Sequence, residues 1–316
     1  MTVAVVLAAY GVLAALCLPR LLRRAAWADR APRLAIAMWL AAGASVIASA
    51  VLSALAVAVP AAAVGHGLAE LFAACAALLG DETALGSAGA RAGLAVSGLL
   101  LVRVAAVGAS VLFGARRERR RHAAALSPLG RHDLDLDALV VDYDECLAYC
   151  LPGRKGHAVI TTGALRSLAP EQVAVVLAHE RAHLRGRHHL LLAAAETPAL
   201  AFPRLPLFEQ ARAEVARLVE LLADDVAARR HQRIHLATAL VRLATGKTPA
   251  FALGAGGETA LTRVRRMLHP QAPLGRGERA AGRLAVTALL AGPAALATAP
   301  GVAAFLAHHC HSFLPF

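Results

Sequence analysis

The sequence predicts a mainly α membrane protein: four transmembrane helices, with a small cytoplasmic α+β domain between the third and the fourth. Three observations predict it. Hydrophobic residues make up 58% of the 316-residue chain and aromatics only 4%, so the apolar content is chiefly Ala, Leu and Val and exceeds that of a usual soluble domain. The excess is gathered into four runs close to the ~20 residues a helix needs to cross a bilayer. Between the last two runs, two short β-branched-rich stretches are followed by helical ones.

Three spans fall in residues 1–114, at about 2–18, 34–59 and 93–114, and the fourth at 284–307. The first has no basic residue before it, and Arg20, Arg23 and Arg24 follow it instead of a small-residue cleavage site. It therefore reads as an uncleaved anchor. The arginines set the orientation. They cluster at Arg20–Arg33, Arg116–Arg121 and Arg276–Arg283, whereas the loop between spans two and three has Arg91 beside Glu70, Asp81 and Glu82. Both termini are expected outside the cell membrane, residues 115–283 in the cytoplasm, and 308–316 as a short outside tail.

The formal charge of +12 could point to nucleic acid. The basic residues flank apolar runs, however, and form no stripe with interleaved aromatics. Attraction to anionic lipid is the simpler reading, so the lipid bilayer is an expected partner and nucleic acid is not. The scattered cysteines, Cys17, Cys75, Cys146, Cys150 and Cys310, imply no disulfide framework. Cys146 and Cys150 are four apart, a weak metal pattern outweighed by reduced structural thiols.

Within 115–283, strands are expected at 139–143 and 157–162. Pro170 and Glu171 open a helix that Gly186 would stop, and a second long helix should cover about 208–230. The apolar stretch 190–208 is broken by Glu196, Pro198, Pro203, Arg204 and Pro206. It reads as a helix and bend on the bundle or at the membrane face. As a full crossing it would separate residues that need to meet.

Those residues begin with His179-Glu180-Arg181-Ala182-His183. Positions four apart lie one turn above each other on a helix, so both imidazoles can reach one zinc ion, with Glu180 beside them as general base. On the second helix, Glu220 is the expected third ligand. Asp224, one turn on, would accept a hydrogen bond from the far nitrogen of a ligand histidine and fix its tautomer. Two His, one Glu and an open position form a catalytic zinc set. Asp225 could exchange roles with Asp224, though it points about 100° away around the helix.

The His-Glu-x-x-His helix followed by Glu220, Ala223 and Asp224 resembles the gluzincin membrane peptidases, which include HtpX and the CAAX prenyl proteases. The layout of three spans, a zinc domain and a fourth span resembles the BlaR/MecR antirepressor transducers. The resemblance implies a zinc metalloendopeptidase holding one ion on His179, His183 and Glu220, with Glu180 catalytic. Its substrate would be a cytoplasmic or membrane protein, such as a transcriptional repressor or the chain itself. An HtpX-like quality-control protease and a non-catalytic signalling scaffold are the alternatives. Only His308–Phe316 follow the last span, so the extracellular penicillin-binding sensor of the transducers is expected to be missing.

Strand 157–162, just upstream of the zinc helix, is expected at a sheet edge where extended substrate could pair with it. Arg229, His231, His235 and Arg263 are candidates by charge for the oxyanion donor. Arg103, mid-span, should face the bundle or a polar cavity. His188 and His189 are expected at the membrane interface. His308, His309, Cys310 and His311 read as a mobile tail.

Overall fold

A computed structural model describes residues 2–58, 88–126, 130–153, 156–245 and 256–312. Glu70, Cys75, Asp81, Glu82, the last residues of the tail and the side chains of His308–His311 lie outside what is described. Among the described residues, four helices are long and apolar enough to cross a membrane: Thr2–Arg23, Pro32–Ala58, Ala88–Ala124 and Arg276–Pro300. They belong to α1 (Thr2–Arg23), α2 (Pro32–Ala58), α3 (Ala88–Leu126) and α10 (Arg276–Ser312). Each runs past the apolar stretch that the sequence marks. Arginine tracts such as Arg116–Arg121 continue the helix because Arg is a good helix former.

Helix α2 is the centre of this bundle, with α1, α3 and α10 packed around it. Small residues let the backbones approach. A Cβ on Gly93 of α3 would lie 2.5 Å from the Ala54 carbonyl oxygen of α2. Arg103 is exposed, but its Nε donates to the Ala201 carbonyl at 2.5 Å, one of the carbonyls that a helix end leaves unpaired.

The intervening segment holds a four-stranded sheet, β1 (Gly130–Asp133), β2 (Ala138–Val141), β3 (Ala148–Leu151) and β4 (His157–Thr161), in the order β1-β2-β4-β3. β2 and β4 match the two expected strands. They pair in parallel, Val140 opposite Ile160. β3 runs antiparallel to β4, Tyr149 opposite Val159. β4 is thus internal, buried along almost its whole length, and the expectation of an edge there is corrected. The edge beside the zinc-motif helix is β3.

After β4 come α4 (Thr162–Ser167), α5 (Pro170–Arg185), α6 (His188–Ala201), α7 (Pro206–Ala227), α8 (Arg233–Thr245) and α9 (Gly256–Leu268). α6 and the bend after it occupy the ambiguous apolar stretch. α6 packs on α3 and α7, so the stretch folds back against the bundle. Trp39, Ile36, Phe208, Leu218 and Leu221 share one buried cluster that joins α2 to α7. A second, of Val140, Ile160, Val173, Val176 and Leu177, joins the sheet to α5. Each buried side chain of this size contributes roughly 1.5–3 kcal/mol relative to exposure. These two clusters set α5 and α7 side by side.

Candidate metal centre

α5 starts where Pro170 takes the first helical position and Gln172 Oε1 accepts the Ala169 N–H at 3.0 Å. Val173, Val176 and Leu177 face the sheet. That rotation turns His179, Glu180 and His183 toward α7. On α7, the apolar stripe of Val215, Leu218, Leu222 and their neighbours is buried, which brings Glu220 and Asp224 round to α5.

Side-chain donors of His179, His183 and Glu220 lie within 4.8 Å of one another. The two Nε2 atoms are 3.0 Å apart. Glu220 Oε2 is 3.5 Å from His179 Nε2, and its Oε1 is 3.4 Å from His183 Nε2. The edges of a tetrahedron around an ion with ~2.0–2.1 Å bonds are about 3.3 Å, so the set fits one zinc ion without rearrangement. Behind His179, Asp224 Oδ1 lies 3.0 Å from Nδ1. Asp224 is fully buried; Asp225, weighed for the same place, instead binds Arg266.

Electrostatics follow from this packing. Burial opposes a charged His179, but Asp224 and Glu220 outweigh it and raise the imidazole to about 9 without metal. Burial and the neighbouring His179 push His183 down to about 4. Burial also opposes ionisation of Glu220, yet His179 and Arg263 hold it at about 2. Glu180 moves the other way: burial, aided by Glu220, raises its carboxyl, with His179 and Arg263 as the opposing charges.

Three neighbours were not foreseen in these roles. Arg263 of α9 reaches Glu220 Oε2 at 3.0 Å and Asp224 Oδ1 at 2.7 Å. Of the four cations weighed for the oxyanion, it is the one set into the site, and it is engaged by carboxylates. Cys150 of β3 lies close enough to Glu180 to feel its charge; burial, reinforced by that carboxylate, pushes its thiol up to about 12. Cys146 is instead buried in the cluster beneath the sheet, so the pair does not form a metal site. His188, expected at the membrane interface, is only 3% exposed and meets His183 Nδ1 at 3.0 Å.

Two histidines one helical turn apart, a glutamate from a second helix and a carboxylate between the histidines define a metallopeptidase-type centre. Residues 114–301 match the family model of Peptidase family M48. The chain belongs to that family of zinc metallopeptidases. No curated protein and no solved structure matches it.

Proposed function

We propose that the chain is a multi-pass membrane endopeptidase that holds one zinc ion on His179, His183 and Glu220 and uses Glu180 as its base. The observation that carries this reading is the convergence of those three donors from two helices in a chain of the M48 family. When bound, zinc supplies Lewis acidity to a peptide carbonyl and makes a nearby water easier to deprotonate. Glu180, half-buried, takes a proton from the attacking water and passes it to the departing amine. The raised carboxyl suits both halves of that exchange. Asp224 keeps His179 oriented. β3, the edge strand among the described residues, packs beside α5 and would bind extended substrate through main-chain hydrogen bonds without a strict sequence requirement.

The distribution of arginines supports a location in the cell membrane, with both termini outside and residues 115–283 in the cytoplasm. Among the described residues, three apolar helices before the site and one after it support a BlaR/MecR-like regulatory role: cleavage of a cytoplasmic repressor or of the chain itself. The purified full chain in detergent should contain about one zinc per molecule. Glu180→Gln should keep that zinc and lose cleavage of an unfolded reporter protein by at least about 100-fold. A Glu180→Gln protein that still cleaves normally would refute the assignment.

A further inference from the structure

We propose that His188 is the hydrogen-bond acceptor that fixes the tautomer of His183, a positioning residue supporting the zinc centre on the side away from Asp224. The inference rests on the zinc reading above and adds a residue to it.

The ring of His183 has two distinct sides. Its Nε2 faces His179 Nε2 at 3.0 Å and Glu220 Oε1 at 3.4 Å, so Nε2 is the atom that would present a lone pair to the ion. The proton of a neutral imidazole must then sit on Nδ1, where it needs an acceptor. The Nδ1 of His188 lies 3.0 Å away. Two protons between these nitrogens would repel and none would leave the contact unbonded, so His183 donates and His188 accepts. His188 carries its own proton on Nε2. Because His188 meets Nδ1 and not Nε2, it lies outside the ligand set.

The chain between the two histidines places this ring. α5 ends at Arg185 and is capped by Gly186, and Arg187 adopts the left-handed conformation at φ 48°, ψ 42°. That reversal starts α6 at His188 and folds its ring back onto the last turn of α5. The His183 and His188 rings meet edge to face at 4.8 Å. A Cβ on Gly186 would overlap His188 Nε2. One ligand is thus backed by an anion, Asp224, and the other by a neutral ring. Ligand histidines depend on such partners, whose loss costs about 10–100-fold in metal affinity.

Asparagine and glutamine at position 188 separate positioning from packing. The Oδ1 of Asn occupies the place of His Nδ1, whereas the Gln amide lies further out. Zinc and cobalt(II) affinities of the full chain in detergent, by chelator competition, are the readout, with thermal unfolding of the metal-free protein alongside. His188→Asn should stay within about threefold of the native affinity. His188→Gln and His188→Phe should lose about 10–100-fold and show an altered cobalt(II) absorption spectrum. Native affinity in His188→Phe, or equal losses in Asn and Gln, would overturn the proposal. His183→Ala separates the two levels. Retention of stoichiometric zinc there would overturn the zinc reading and this inference with it. Loss of zinc there, with His188 variants unaffected, would overturn this inference alone.

Discussion

Arg263 donates to both carboxylate oxygens of Asp224, Nε to Oδ2 at 2.8 Å and Nη2 to Oδ1 at 2.7 Å. Asp224 is fully buried, and a buried carboxylate is stable only when paired and hydrogen-bonded. The pair also fastens α9 to α7 across 39 residues of sequence. Removing one partner strands the other charge, which costs about 3–5 kcal/mol at buried sites. Arg263→Met should therefore unfold at markedly lower urea concentration than the native chain in the same detergent. Asp224→Asn in the Arg263→Met background should recover part of the loss. A single variant as stable as the native protein would contradict this account.

Acid should reveal the same pair. Burial would raise the Asp224 carboxyl, but Arg263 and His179 hold it at about 2, against an ordinary 3.8. The unfolded chain then takes up the proton more readily than the folded one. The stabilisation, about 2 kcal/mol, is complete above pH 4 and is lost as pH falls toward 2. Melting temperatures of the metal-free protein should drop across that window. Asp224→Asn, less stable at neutral pH, should show a shallower drop; an unchanged slope would assign the acid response to other groups.

One residue further along α7, Asp225 is gripped by Arg266 through two bonds of 2.8 Å. The same guanidinium donates to the Asp29 carbonyl, while the Asp29 side chain pairs with Arg217 at 2.8 Å. Asp29 lies in the short turn between α1 and α2, so the apolar helices are tied to the helix that carries Glu220. Partly buried, bidentate pairs of this kind couple by about 0.5–3 kcal/mol. A double-mutant cycle on Arg266→Ala and Asp225→Ala should return a coupling of about 1–2 kcal/mol. Additive effects would show that the contact contributes nothing beyond its single groups.

What could be read from the sequence follows from how local each feature is. The spacing of His179 and His183 is a property of one helix, and that of Glu220 and Asp224 of another. Both pairs could be placed once the helices were recognised. The long apolar helices were equally legible from the apolar runs, and α3 and α10 continue past those runs into arginine-rich helix. β3 was invisible because Ala148-Tyr149-Cys150-Leu151 has no alternation of apolar and polar residues, and the edge position depends on strand order. Arg263 could be named as a cation near the site, but its role required α9 to dock on α7. His188 was misplaced for a different reason. A histidine five residues beyond His183 would point elsewhere on a continuous helix, and it returns only because Arg187 takes a conformation that non-glycine residues seldom adopt.

That conformation allows one more test. An L-residue in the left-handed region costs about 1–2 kcal/mol, and Arg187 is exposed, so little packing offsets the strain. Glycine removes the strain but gains freedom in the unfolded chain, which returns about half of the benefit. Arg187→Gly should therefore stabilise the protein by about 0.5–1 kcal/mol, read as a small rise in melting temperature with zinc affinity unchanged. Arg187→Val should do the reverse, because a β-branched side chain is least tolerant at positive φ. It should lower both stability and metal affinity, since the turn and the His188 ring move together. If valine there leaves metal binding intact, the turn does not control where that ring sits.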